Sequence, residues 1–459
     1  MAEPCLHCAD FSRARLLRQA AAQAGSGLPT VEPGMPLPAG TGLSRRSFLM
    51  RSAGLALSVY GVSALGPRSL EEGIARAASG PAGPVLVSVF LEGGADSLSL
   101  LFPDGESDYR RLRPTLALAP GSGLPFGEDD RLRWHPALEP LAGLHAEGKV
   151  TTLPAIGYTH VDQSHFTSCH YWEVGATSTQ LTTGWMGRYL DHVGSDDNPL
   201  QGLSLDGQLQ PALAAAQVPV AALADPASYT LAAPHVSGEV ERRMLETVAE
   251  LGAARESDDQ AVSAARKATL QSTRVREQLL EFDGFTSPVP YPDGGGDPFP
   301  KRLAGLAAMI GAGLPVRCAA VKASGLYDTH ANQPDALTRG LLLTAGSLAA
   351  FQRDLEARGL ADRVLVYVWS EFGRRAQENA SFGTDHGAAG TGFLIGSRVR
   401  GHMIGEFPGL AQGLDENGNL RATSDFRGVY CALLEQWFGT DAAAVIPNAA
   451  GFTRPELLR

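Results

Sequence analysis

Cysteine is scarce in this chain: five among 459 residues, of which Cys5 and Cys8 stand at the extreme amino terminus. The other three, Cys169, Cys318 and Cys431, allow at most one internal bridge, which excludes a disulfide-built scaffold. Cys5-Leu6-His7-Cys8 has metal-ligand spacing but supplies only half a zinc site, and reads as solvated leader sequence. Positive charge is short as well. Lys and Arg number 38 against 49 Asp and Glu, a formal charge of -11. No run of basic residues marks a track for a phosphate backbone, so nucleic acid is excluded as a partner. Long clean apolar runs are also missing. The best candidate, LALSVYGVSALG, carries Gly and Ser and closely follows Arg51, so no stable membrane span is expected. What remains, 44% hydrophobic and 19% charged, is an ordinary globular composition with ample material for a core.

Near the amino terminus, SRRSFLM (Ser44 to Met50) precedes that weakly apolar stretch, and Ala75-Arg76-Ala77 follows as a small-x-small cleavage site. In this order the elements resemble a twin-arginine export signal over residues 44–77, which implies passage through the Tat translocase to a periplasmic or secreted location. Residues 1–43 form a long leader extension, expected to be disordered, and translation from Met35 instead of Met1 remains open. Residues 78–84 are a small-residue linker, and a single domain is expected over 85–459.

Within that domain, apolar runs alternate with helical patterns. VLVSVFL, VTTLPAI, PVRCAAV, RVLVYVW and GFLI read as strands, several of them apolar at every position, as strands buried on both faces are. Helical patterns cover His135 to Glu147 and residues 335–358. Strand, helix and strand with short connections predict an α/β fold: a doubly wound, mostly parallel sheet flanked by helices. A charged segment, about 238–286, breaks the rhythm and reads as a helical insertion.

In open α/β sheets, ligands bind beyond the carboxyl ends of the strands. The first strand runs into Glu92-Gly93-Gly94-Ala95-Asp96, and the second into His160, Asp162, Ser164 and His165. A later one runs into Asp328 and His330, and RVLVYVW runs into Glu371, Arg374 and then Asp385-His386. Singly, each residue has a plain reading as a cap, a turn residue or a surface ion pair. Together, four strand ends with acid or imidazole point to one shared site. Asp96, Asp328, His330, Glu371, Asp385 and His386 form a mixed nitrogen and oxygen set suited to one or two divalent ions, Zn²⁺ or Mn²⁺. A calcium cage would use more oxygen and fewer imidazoles. Arg374 is a candidate clamp for an anionic ester. Ser164 is a candidate nucleophile, with a helix cap as its alternative reading, and His165 beside it is a candidate catalytic residue.

LEGGADSLSLLFP, RLRPTLAL, DQSHF, GWMGRYL, GLYDTHANQ, SEFGRRAQEN, GTDHGAAG and VRGHMIGEFPGL together resemble the DUF1501 family of exported proteins, itself similar to the alkaline phosphatase and sulfatase superfamily. The resemblance spans nearly all of the chain after the signal. It implies an alkaline phosphatase-like fold with a metal centre, in which Asp96 follows the first strand and Asp328, His330 and His386 are ligands. The chain departs from the superfamily pattern at Ser370-Glu371, where an Asp-His pair is usual, and lacks the Cys-x-Pro-x-Arg stretch of sulfatases. The expected function is an exported, metal-dependent hydrolase of phosphate or sulfate esters, acting on a small anionic ester or a polymer-linked one. A non-catalytic binding or assembly protein retaining the fold is the alternative.

Overall fold

The computed structural model describes residues 83–195, 198–223, 239–253, 266, 269 and 286–459. The leader, the export segment and most of the expected insertion lie outside these residues; of the insertion, Glu239–Ala253 forms a helix.

The chain enters the core as β1 (Val85–Phe90). A small three-stranded sheet, β2 (Leu101–Phe102), β3 (Leu124–Pro125) and β4 (Arg133–Trp134), lies beside the main one. The main sheet is completed by β5 (Val150–Gly157), β6 (Gly202–Ser204), β7 (Ala221–Ala222), β8 (Cys318–Lys322), β9 (Val364–Trp369), β12 (Gly390–Ile395) and β13 (Ser424–Asp425). Its strand order is β13-β5-β12-β9-β1-β8-β6-β7. β1 pairs in parallel with β8 on one side and β9 on the other, while β12 alone runs antiparallel to both of its neighbours. The expected mostly parallel α/β sheet is therefore what the chain builds. The reversal of β12 follows from β10 (Arg374–Glu378) and β11 (Thr384–His386). They form an antiparallel hairpin beyond β9, so the chain re-enters the sheet from the carboxyl edge.

Both faces of the sheet are covered, which explains its uninterrupted apolar runs. Val85, Val87 and Val89 of β1 pack with Leu306, Leu341 and Phe351 from the helices Phe299–Gly311 and Gln333–Ala357. Leu86 and Phe90 point the other way, toward Trp172, Tyr189 and Tyr430 from the helices His165–Val174, Trp185–Val193 and Phe426–Ala432. Period-two alternation thus serves two cores at once. Cys169, Cys318 and Cys431 are all buried and unbridged. No helix among the described residues is long and apolar enough to cross a membrane.

Candidate metal centre

The loop after β1 shows why two glycines precede the acid. Gly93 and Gly94 have φ of +118° and +72°, a left-handed region that other residues rarely enter. A Cβ on Gly93 would stand 2.3 Å from the Asp328 amide nitrogen, and one on Gly94 2.3 Å from the Phe372 ring. The bare turn lets both strand-end loops close in. Its amides then donate to the Glu371 carboxylate, at 3.0 and 3.2 Å from Gly93 and 3.0 Å from Gly94.

Glu371 is fully buried, with both oxygens engaged. Besides the two amides, it accepts from Ser370 Oγ at 3.0 Å and meets His165 Nδ1 at 2.8 Å. Burial alone would raise its pKa, but the hydrogen bond and charge of His165 bring it below the ordinary value. Glu371 therefore stands behind His165 and orients it, where the sequence suggested a direct ligand.

Two other imidazoles are held in the same manner. His386 Nδ1 meets the Gln163 main-chain oxygen at 2.6 Å. A carbonyl only accepts, so Nδ1 carries the hydrogen and Nε2 presents its lone pair. His330 Nδ1 lies 3.2 Å from Asp385 Oδ1, and Asn379 Nδ2 donates both to that oxygen and to the His330 carbonyl, each at 3.0 Å. With their Nδ1 atoms fixed, all three rings turn Nε2 toward Asp328. Its Oδ1 is 3.1 Å from His330 Nε2, 3.6 Å from His165 Nε2 and 3.7 Å from His386 Nε2. His330 and His386 face each other, Nε2 to Nε2, at 3.0 Å.

The electrostatics agree with a cation site. Burial opposes ionisation of Asp328, yet hydrogen bonds to the three histidines and the Arg374 charge hold its carboxyl far below the usual range. Burial pushes His386 down to about 4, against a smaller raising effect from Asp328, so this ring is neutral near pH 7. His165 moves oppositely. Burial would lower it, but its bonds to Asp328 and Glu371 bring it to about 9, so a proton sits where a metal would otherwise supply the charge. His165, Asp328 and His386 each offer one atom, all within 4.8 Å of one another. Oriented imidazole nitrogens around one carboxylate fit a borderline-soft divalent ion.

Besides Glu371, four placements differ from expectation. Asp96 is wholly buried and spends its carboxylate on Arg113, at 2.5 and 2.8 Å, on Ser99 Oγ at 2.6 Å and on Gln333 Nε2 at 2.6 Å. An acid so occupied has no oxygen to spare for the histidines. Arg374 is not a rim clamp. It is buried, donating to Gly94 O at 2.7 Å, Thr384 O at 2.8 Å, Asp328 Oδ1 at 2.6 Å and the Gly93 carbonyl, so it pins loops and cannot grip a substrate. His165, taken from sequence as a catalytic partner of Ser164, belongs to the convergent imidazoles. Asp385 is largely exposed and backs His330.

Ser164 occupies the N-cap position of the helix His165–Val174, but its side chain makes no capping bond. Asp162 Oδ1 holds the turn by accepting from the Ser164 amide at 2.8 Å. Sequence reasoning missed Arg113, Asn379 and the Gln163 carbonyl. A buried Asp96 demands a cation, which was a signal for Arg113; a main-chain oxygen leaves no signal at all.

Fold and site together define an α/β protein with a candidate histidine and aspartate metal centre at the carboxyl edge of its sheet. The chain belongs to the DUF1501 family, described as a protein of unknown function, whose match covers residues 154–447. The convergent residues fall inside that range, whereas Asp96 and Arg113 precede it. No curated protein matches the chain. Among solved structures, it is similar to the lipoteichoic acid synthase LtaP from Listeria monocytogenes, with 9% identity, 83% of this chain and 80% of that one covered, and a TM-score of 0.34. The PsFucS1 sulfatase from Pseudoalteromonas sp. gives 10% identity, 84% and 77% coverage, and 0.34. The phosphonate monoester hydrolase SpPMH from Silicibacter pomeroyi gives 13%, 81% and 75%, and 0.29. At such values no residue's role passes from one chain to another.

Proposed function

We propose that this protein is an exported, metal-dependent hydrolase of phosphate or sulfate esters with an alkaline phosphatase-like fold. The observation that carries the reading is the convergence of His165, His330 and His386 on Asp328, each ring fixed through its far nitrogen. His165, Asp328 and His386, with His330 beside them, would hold the ion, Zn²⁺ or Mn²⁺. A divalent ion there supplies Lewis acidity toward an attacking oxygen and an anionic ester. Ser164 is the nucleophile in this reading: it directly precedes His165, at the amino end of the helix His165–Val174. The amino end of the ten-residue helix His165–Val174 adds a partial positive charge that favours an anion. Glu371, Asp385 and the Gln163 carbonyl keep the imidazoles in place, and Arg374 balances Asp328.

The Arg374 contact also supports the second reading, a non-catalytic binding protein. A guanidinium 2.6 Å from Asp328 already provides a permanent cation within the site. One panel separates the two. Aryl phosphate monoesters, diesters and sulfates are offered to protein stripped with chelator and to protein reloaded with Zn²⁺ or Mn²⁺. Turnover on at least one ester class is expected, abolished by stripping and restored by metal. Metal-loaded, folded protein inert toward every ester would establish the non-catalytic class.

Export is part of the same proposal. Arg45→Lys combined with Arg46→Lys is expected to retain full-length protein in the cytoplasm, as cell fractionation would show. Without the substitutions, cleavage is expected near Ala77. Mature protein found outside the cell despite both substitutions would remove the Tat route.

A further inference from the structure

A cavity of about 1120 Å³ adjoins the centre beyond the carboxyl ends of β5 and β13. It shares a wall with the site. Gln163, whose carbonyl orients His386, and Ala388, two residues past His386, both line it. The Gln163 side chain donates to Oδ1 of Asn419, another residue of the lining, at 3.3 Å. A ligand lodged here thus lies against the same loop that positions a histidine of the centre.

We infer that this cavity receives an uncharged, hydroxyl-rich saccharide chain, the alcohol portion of the ester acted on next door. The inference rests on the hydrolase reading for the ester bond, but not for the binding itself. Its size is the first argument. Pockets for drug-sized ligands run to roughly 300–1,000 Å³, so this one has room for more than a single small group.

Charge is the second argument. Asp425 is neutralised by Arg427 at 2.6 Å, and Asp415 is spent on the amides of Asn417 and Asn419, both at 2.9 Å. Glu416 and Arg421, both exposed on the wall, oppose each other in sign. Asp415 keeps its charge, so the lining is left slightly negative: it has no cationic surplus to bind a polyanion and too few anions to hold a polycation.

Polarity is the third. Apolar patches from Val161, Ile404 and Phe452, part-exposed on the wall, alternate with exposed Thr159, Glu416, Asn417 and Arg421. Apolar surface and intermixed donors and acceptors thus lie side by side, as the faces and hydroxyls of a sugar require. A wholly apolar chain filling the cavity would leave those polar groups desolvated and unmatched. A row of hydroxyls, each both donor and acceptor, matches them.

The test uses protein stripped of metal, so that binding is read without turnover. Maltotetraose, cellotetraose, xylotetraose and chitotetraose are titrated by calorimetry and by saturation-transfer NMR, with dextran sulfate as the polyanion control. At least one neutral tetrasaccharide is expected to bind with a dissociation constant near or below about 1 mM, an affinity of about 4 kcal/mol. The variant Glu416→Ala, Asn417→Ala, Arg421→Ala should weaken it at least tenfold. It should leave aryl ester turnover by the metal-loaded protein unchanged. Asn417→Trp, which narrows the opening, should do the same and guards against misfolding of the triple variant, which a thermal melt also reports. The inference is overturned if no neutral tetrasaccharide binds, if dextran sulfate binds instead, or if both variants bind as the parent does. Saccharide binding with no ester turnover would sink the hydrolase and leave this inference standing; turnover without saccharide binding would do the reverse.

Discussion

Asp328→Asn is expected to strip the centre of metal and to abolish metal-dependent ester turnover while the sheet stays folded. The carboxylate is the hub on which three imidazoles and Arg374 converge. Losing a partner that merely orients a ligand typically costs about 10–100-fold in metal affinity. Losing the central oxygen donor should cost more. Asn keeps the shape and one accepting oxygen for Arg374 but not its counter-charge. Because Asp328 is only part-buried and Arg374 also donates to the Gly93, Gly94 and Thr384 carbonyls, that loss should cost less than at a fully buried pair. Asp328→Ala removes the accepting oxygen as well and should cost about 3–5 kcal/mol of stability. Plasma emission spectroscopy counts metal per chain, and melting with and without Zn²⁺ reports linkage between binding and folding. Parent protein should gain thermal stability from Zn²⁺, and Asp328→Asn should gain none. Full metal occupancy in Asp328→Asn would place the ion elsewhere and remove the proposed centre.

The strands that build this edge were legible because burial on both faces leaves an unmistakable mark. VLVSVF and VLVYVW are buried at every position in β1 and β9. The direction of β12 was not legible, since an apolar run has no polarity of its own; the β10–β11 hairpin sets it. The gathering of acids and imidazoles at one edge followed from sheet topology and could be read without coordinates.

What could not be read was the division of labour. Glu371 and Asp328 are both carboxylates after strands, and composition treats them alike. They differ in what already occupies their oxygens. The Gly93-Gly94 amides that engage Glu371 lie more than 270 positions away in sequence, so no local pattern announces them. Ser370-Glu371 is therefore no degraded ligand pair: Ser370 Oγ ties to the Leu91 carbonyl at 2.7 Å, and Glu371 ties to His165. His165 was misplaced for a related reason. A histidine beside a serine suggests a base, and only the position of Glu371 shows that its Nδ1 is engaged and Nε2 turned toward Asp328.

Asp96 carries the other large expected effect, and the opposite signature. Asp96→Asn should destabilise the protein by about 3–5 kcal/mol, because Arg113, fully buried, would keep its charge and lose its counter-ion. Burial disfavours the Asp96 carboxylate, yet the Arg113 charge and the hydrogen bonds from Arg113, Ser99 and Gln333 overcome it and lower its pKa. A depressed carboxyl stabilises the fold fully above its unfolded value, about 3.9, and that stability is lost as pH falls through the lower folded value. In Asp96→Asn this acid-side contribution should be absent. Removing both partners, as in Asp96→Leu with Arg113→Met, should recover part of the loss. The recovery is incomplete because Arg113 also donates to the carbonyls of Ala376 and Arg375, each at 2.9 Å, and those oxygens would be left unpaired. Metal content decides what Asp96 is. If it is a buried counter-ion, the metal bound per folded Asp96→Asn molecule should equal that of the parent, while His386→Ala, less destabilised, should lose it. Denaturant melts measure the first quantity and plasma emission the second. A stable Asp96→Asn protein devoid of metal would return Asp96 to the ligand set and refute the division drawn between the Arg113 pair and the Asp328 hub.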